Sequence, residues 1–184
     1  MMVTRTHRGP FTYADYLLTP DDVRYELIEG ELIRAPSPIP LHQRVSSGFV
    51  GLMAPFAKNN RLGDVFAAPL DVHLSDTNVL QPDILFISNE RSHIIGETNI
   101  QGAPDLIIEI ASPSTEDLDR GVKQNLYAIF GVLEYWRAYP LAQIVEVLRL
   151  DNGQFVSIGV YGLGDALTTP LLPGLNIDLD EIFT

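Results

Sequence analysis

The chain has 184 residues, with 12 Lys and Arg against 24 Asp and Glu for a formal charge of −12, and no cysteine. The missing cysteines exclude disulfides, thiolate zinc sites and cysteine nucleophiles, while the charge repels polyanions and argues against non-specific nucleic-acid binding without divalent cations. The length suits one domain, residues 1–184, and no stretch approaches the roughly 20 apolar residues of a membrane helix, so a cytoplasmic protein is expected.

Thr12 followed by Asp15 is spaced as a capping box, predicting a short helix from Tyr13 to Leu18 that Pro20 stops. Residues 24–34 alternate as a hairpin turning at Glu29-Gly30. After a Pro-rich break, Val45, Phe49, Leu52, Met53 and Phe56 recur at helical spacing, predicting a helix over 42–59 that Pro55 kinks or splits. From Asp64 to Leu74 the period becomes two, with Phe66, Ala68, Leu70, Val72 and Leu74 on one face and Asp71 and His73 on the other. A turn at 75–78 returns the chain antiparallel into QPDILFIS, and the segment 89–104 has little periodicity, as functional loops often do.

The strand Leu106 to Ser112 follows, and then a helix capped by Ser114 or Thr115 with Glu116 and Asp117 in its first turn. Leu118, Val122, Leu126, Ile129 and Phe130 form its apolar stripe and Gly131 suits its C-cap. A strand over 133–138 and a hairpin of 144–150 with 155–160 around Asp151-Asn152-Gly153 precede an irregular closing segment.

Two acids stand out against this pattern. Glu109 lies inside Leu106-Ile107-Ile108-Glu109-Ile110, a run with the apolar signature of a strand covered on both faces, and Asp83 opens Ile84-Leu85-Phe86-Ile87. An unpaired buried carboxylate costs several kcal/mol, so each acid needs a partner, a cation or a proton. Hard Mg²⁺ or Mn²⁺ takes carboxylate, carbonyl and water ligands, which Asp83, Glu109 and the main-chain carbonyl near Ile110 could supply for phosphodiester hydrolysis. The usual place for the accompanying cation, two residues beyond the glutamate, holds Ala111; Lys123, one of two lysines, could reach the same cleft from the next helix. The four histidines show no zinc-ligand spacing.

The blocks TYADYLLTPDDVRYELIEGEL, the His42-Gln43 pair, PLDVHLS, QPDILFIS, NIQGAPDLIIEIASPST, DRGVKQNLYAIFGVLEYW and LLPGL, in this order, resemble the Uma-two family of restriction-type endonucleases within the PD-(D/E)XK nuclease superfamily. The resemblance implies an α/β (α+β) fold with a restriction-endonuclease-like three-layer core, helix-strand-strand-strand-helix-strand, and hairpins added at both ends. It also implies an acidic Mg²⁺ or Mn²⁺ site with Asp83 and Glu109, the lysine moved to Lys123, and Glu26 from the YEL block. DNA as substrate and a homodimer are expected with it. Arg137-Ala138-Tyr139 departs from the pattern, where an apolar pair and an aspartate are expected.

Each of these residues also has an ordinary reading. Glu109 could pair with a buried arginine, Lys123 could form a surface ion pair with Asp119, Glu26 could be a solvated hairpin acid, and His42 could serve only the helix start. Glu31 and Asp71 are further candidates for the acidic site. Only a few arginines, such as Arg34, Arg44 and Arg120, are available for phosphate. Two other functions stay open: a nuclease-fold module for dimerisation or regulation without catalysis, and hydrolysis of a small phosphoester, which the negative charge would oppose less. Apolar surface for a dimer is expected at Leu133, Tyr135, Trp136 and the following hairpin.

Overall fold

The computed structural model describes residues 10–20, 22–112 and 118–184. A short helix α1 (Tyr13–Tyr16) opens the described chain; the Thr12 amide and hydroxyl both donate to Asp15 Oδ2, at 2.9 and 2.8 Å, forming the expected capping box. The hairpin β1 (Tyr25–Ile28) and β2 (Glu31–Arg34) follows, with Glu29 and Gly30 at φ 50° and 77° in its turn. Helix α2 (Pro40–Asn59) then runs past Pro55 as one element. The expected split does not occur; the residues on both sides of Pro55 bury one continuous face through Val45, Phe49, Met53 and Ala57.

The strand expected over 64–74 divides. Its first half is β3 (Gly63–Ala67) and its second half is β4 (Val72–Ser75), in different sheets. Pro69 has no N–H to give a ladder, which accounts for a break there. The alternation survives the break, since Phe66, Leu70, Val72 and Leu74 all join one apolar cluster. Strand β5 (Asn78–Leu80) returns against β4, and β6 (Ile84–Ser88) pairs antiparallel with β3. A 3-10 turn over Asn89–Ile94 occupies part of the aperiodic segment.

After β7 (Leu106–Ile110), the expected caps Ser114 and Thr115 and the acidic pair Glu116 and Asp117 lie outside the described residues. The helix is described from a π-helical turn, Asp119–Lys123, which continues into α3 (Gln124–Phe130) and ends at Gly131 with φ 86°. Single π turns inside α-helices are frequent at functional sites. Then come β8 (Glu134–Tyr139), β9 (Ile144–Asp151), β10 (Gln154–Gly162), the two-residue strands β11 (Ala166–Leu167) and β12 (Ile177–Asp178), and α4 (Leu179–Phe183).

Strands β10-β9-β8-β7-β6-β3 form the main sheet, in which only β7 and β8 run parallel, and β2-β1-β5-β4 form a second. On one face of the main sheet, Ile84, Phe86, Ile108 and Ile110 pack with Val45, Phe49 and Met53 of α2 and with Ile182 of the closing segment. On the other, Leu85, Ile87 and Ile107 pack with Leu126 and Tyr127 of α3 and with Ile28 and Leu80 of the second sheet. A sheet between helices with a second sheet over one side is the expected mixed α and β architecture. Covering both faces also explains why β6 and β7 read as unbroken apolar runs.

Tyr135 and Trp136 are fully buried, which corrects the expectation that they offer a dimer surface. They lie in the central strand β8, between β7 and β9. The exposed apolar residues nearby are instead Val156, Ile158, Val160 and Leu163 on and just beyond the edge strand β10.

Candidate functional site

Register alone brings the two acids together. Ile84 pairs with Ile108 across β6 and β7, so the next step along each strand sets Asp83 beside Glu109. By strand alternation Glu109 shares the face of Ile107, toward α3 and the second sheet, whereas Asp83 lies just before β6 and turns its carboxylate to the start of α2 and the Ile110 amide. The row continues across the sheet, with Glu109 opposite Arg137 and Arg137 opposite Glu146.

Glu109 is buried, and its Oε1 accepts from Lys123 Nζ at 3.2 Å and from the Tyr127 hydroxyl at 2.7 Å. Lys123 is equally buried and also meets Glu26 Oε1 at 2.9 Å and Asp119 Oδ1 at 3.6 Å. The surface-pair reading of Lys123 is thereby corrected: Asp119 is one of three acids around a buried ammonium, because α3 packs back over β7. Glu26 lies at this cluster too, its Oε1 also accepting the main-chain N–H of Gln81 at 2.8 Å. The hairpin therefore delivers its acid inward and not to solvent.

Asp83 sits at the strand's start. Its Oδ2 accepts the main-chain N–H of Ile110 at 2.8 Å and lies 3.0 Å from His42 Nε2, on the first turn of α2. Asp71 stands one contact further out, accepting from the Tyr16 hydroxyl at 2.8 Å and from Gln81 Nε2 at 2.7 Å. His73 stacks on Tyr13. Arg137 binds Glu146 at 2.7 Å and Gln124 at 2.8 Å, so Glu109's partners are Lys123 and Tyr127. Tyr127 and Gln81 were not singled out from the sequence. Tyr127 had a usable signal, since it lies four residues after Lys123 on the same helix face; Gln81 meets Glu26 through its main-chain N–H and Asp71 through its side-chain amide, long-range contacts that sequence does not reveal.

Glu26, Glu109 and Asp119 thus surround one ammonium, with Asp83, held by His42, beside Glu109. Burial, and then the charges of Asp119, Asp83 and Glu26, push the Glu109 carboxyl well above the ordinary glutamate range against the pull of Lys123. Burial acts to lower the Lys123 value, but Glu109, Glu26 and Asp119 outweigh it and hold the ammonium charged beyond the usual lysine range. Burial and the adjacent Glu109 likewise keep the Tyr127 hydroxyl protonated, as a donor.

A pH dependence follows. Because folding raises the Glu109 value, the folded cation-free protein binds a proton there more tightly than the unfolded chain, and this contribution to stability is complete below the unfolded glutamate value. It is lost as pH rises through the raised value. Thermal melts from pH 4 upward in chelator should show this decline, and Glu109→Gln should remove it; equal pH profiles for the two proteins would contradict the assignment.

Mg²⁺ sites commonly use one or two carboxylates with several waters, and the donor set here is of that hard-oxygen kind. Among the described residues no group of three or more His, Asp or Glu side chains is arranged to hold an ion. The fit therefore rests on the donors themselves: Asp83 and Glu109 each keep one carboxylate oxygen that no hydrogen bond from the described residues engages.

Comparison with known proteins agrees with this architecture. A solved structure, a "putative nuclease belonging to DUF820" from Anabaena variabilis ATCC 29413, is similar with a TM-score of 0.78 and 24% identity over 95% of this chain and 98% of that one, which bears on the fold. No curated protein matches the chain. The family model described as "Putative restriction endonuclease" matches residues 12–180. With that match spanning nearly its whole length, the chain belongs to the Uma2 family, built on the restriction-endonuclease-like fold.

Proposed function

We propose that the protein is a divalent-cation-dependent endonuclease that hydrolyses phosphodiester bonds of DNA. Asp83 and Glu109 hold Mg²⁺ or Mn²⁺, with the Ile110 carbonyl as a further oxygen. One observation carries the reading: each acid has one oxygen committed to protein donors, while no hydrogen bond from the described residues engages the other. A bound cation supplies a polarised phosphoryl oxygen and an acidified water. Lys123 and Tyr127 both bond Glu109 Oε1 and so hold that carboxylate still with its other oxygen open, and the ammonium adds a fixed positive charge to the site. Glu26 anchors the ammonium and offers a third carboxylate for a base or a second ion.

The charge of −12 favours two alternatives, a non-catalytic module and a small-phosphoester hydrolase. The test incubates purified protein with supercoiled plasmid, single-stranded DNA, RNA and an aryl phosphodiester, each with Mg²⁺, Mn²⁺ or chelator. The proposal expects cation-dependent DNA cleavage that falls steeply with salt, since approach to the acidic surface depends on cations. Turnover of the aryl ester alone supports the small-phosphoester reading, and inactivity on every substrate supports the non-catalytic one.

A homodimer in a cytoplasmic setting belongs to the same reading. Its surface is the edge strand β10, where Val156 and Val160 are 50% and 57% exposed and no charged residue occurs from Asn152 to Gly164. A stable pair should bury at least about 1,000 Å² in total. Light scattering that shows a monomer across micromolar concentrations contradicts it.

A further inference from the structure

We propose that His42 is a positioning residue for Asp83, an inference that rests on reading Asp83 as a cation ligand. The helix start gives no reason for a histidine here: α2 opens with Pro40 after Ile39, with no side-chain cap. What His42 does contact is Asp83 Oδ2, at 3.0 Å from Nε2. An ionised carboxylate offers only lone pairs, so the shared hydrogen belongs to the imidazole, and a neutral ring is held as the Nε2–H tautomer. The other nitrogen, Nδ1, is buried without a hydrogen-bond partner. Asp83 is therefore the polar contact that orients the ring.

The Ile110 N–H reaches the same oxygen at 2.8 Å. Two donors from different elements, the first turn of α2 and the end of β7, converge on Oδ2, and a twist of the carboxylate breaks both bonds. Oδ1, which no hydrogen bond from the described residues engages, is left facing one direction. Ile110 serves through its main chain and no substitution removes its N–H except proline, so His42 is the adjustable half of this clamp. Groups that orient a ligand oxygen from behind typically change metal affinity by about 10–100-fold.

The experiment measures Mn²⁺ affinity by calorimetry on the full chain, in wild type, His42→Phe, His42→Asn and His42→Gln, with thermal melts of each. Phe keeps a ring without a donor, Asn is too short to reach Asp83, and Gln carries an amide donor to about the place of Nε2. Phe and Asn are expected to weaken Mn²⁺ binding at least about tenfold, while Gln recovers most of the affinity. Wild-type affinity in the Phe or Asn variant overturns the proposal. So does a Gln variant as weak as Asn at equal melting temperature, because packing and not the donor would then matter. The wild-type arm reads the metal assignment by itself: no Mn²⁺ binding there defeats the ligand role of Asp83, whereas binding that ignores His42 defeats only this inference.

Discussion

Replacing Glu109 by Gln or Asp83 by Asn is expected to reduce cation-dependent cleavage on the order of 10³-fold while leaving the fold in place. A metal ion supplies several kcal/mol of transition-state stabilisation, and each 1.36 kcal/mol corresponds to tenfold in rate, so losing a ligand oxygen's charge costs about three decades. The structural cost points the other way for Glu109. Gln keeps an oxygen to accept from Lys123 and Tyr127, and it removes one negative charge from a buried group crowded by Glu26, Asp83 and Asp119. Its melting temperature should match or exceed that of wild type above neutral pH. Such a trade of stability against activity marks a site kept strained for function. Cleavage rates on plasmid and thermal melts of the same preparations check both halves; equal rates in variant and wild type would trace the activity to another nuclease in the preparation.

Lys123→Met should be the most destabilising single change at the site. Methionine fills similar space, but Glu26, Glu109 and Asp119 then share a buried cluster with no ammonium. Removing one member of a buried ion network costs about 3–5 kcal/mol, which for a chain of this size lowers the melting temperature by roughly 6–20 °C. The loss should shrink toward acid pH, because protonating the acids removes the repulsion, and should be partly recovered in the double variant Lys123→Met with Glu109→Gln. A double-mutant cycle in melting free energy measures that coupling. Additive losses would show that the ammonium and Glu109 do not interact as the geometry has them.

Several of these features were readable in the sequence because they are local. Period-two and helical spacing located the hairpins, α2 and α3, an unbroken apolar run located β7, and an acid inside that run identified Glu109 without any partner in view. The break between β3 and β4 was missed because the apolar alternation runs straight through Pro69, and only pairing to two different sheets separates the halves. Lys123 was evenly balanced between surface and site, since its partners Glu26 and Glu109 lie far away in the chain; Asp119 alone was near enough to read. His42 was similarly opaque. A histidine in the first turn of a helix suggests local bonding, while its contact with Asp83 depends on how α2 crosses the sheet. Tyr135 and Trp136 misled in the opposite sense, because a strand rich in aromatics can be central or superficial, and sequence does not fix strand order.

The central claim is that Asp83 and Glu109 together hold one divalent cation. Calorimetric titration of Mn²⁺ into chelator-treated wild type, Asp83→Asn, Glu109→Gln and the double variant tests it most directly. The account predicts saturable wild-type binding that each single substitution weakens strongly, with the double variant little worse than either alone, since both changes remove the same ion. Mn²⁺ binding of wild-type strength in the double variant would contradict it.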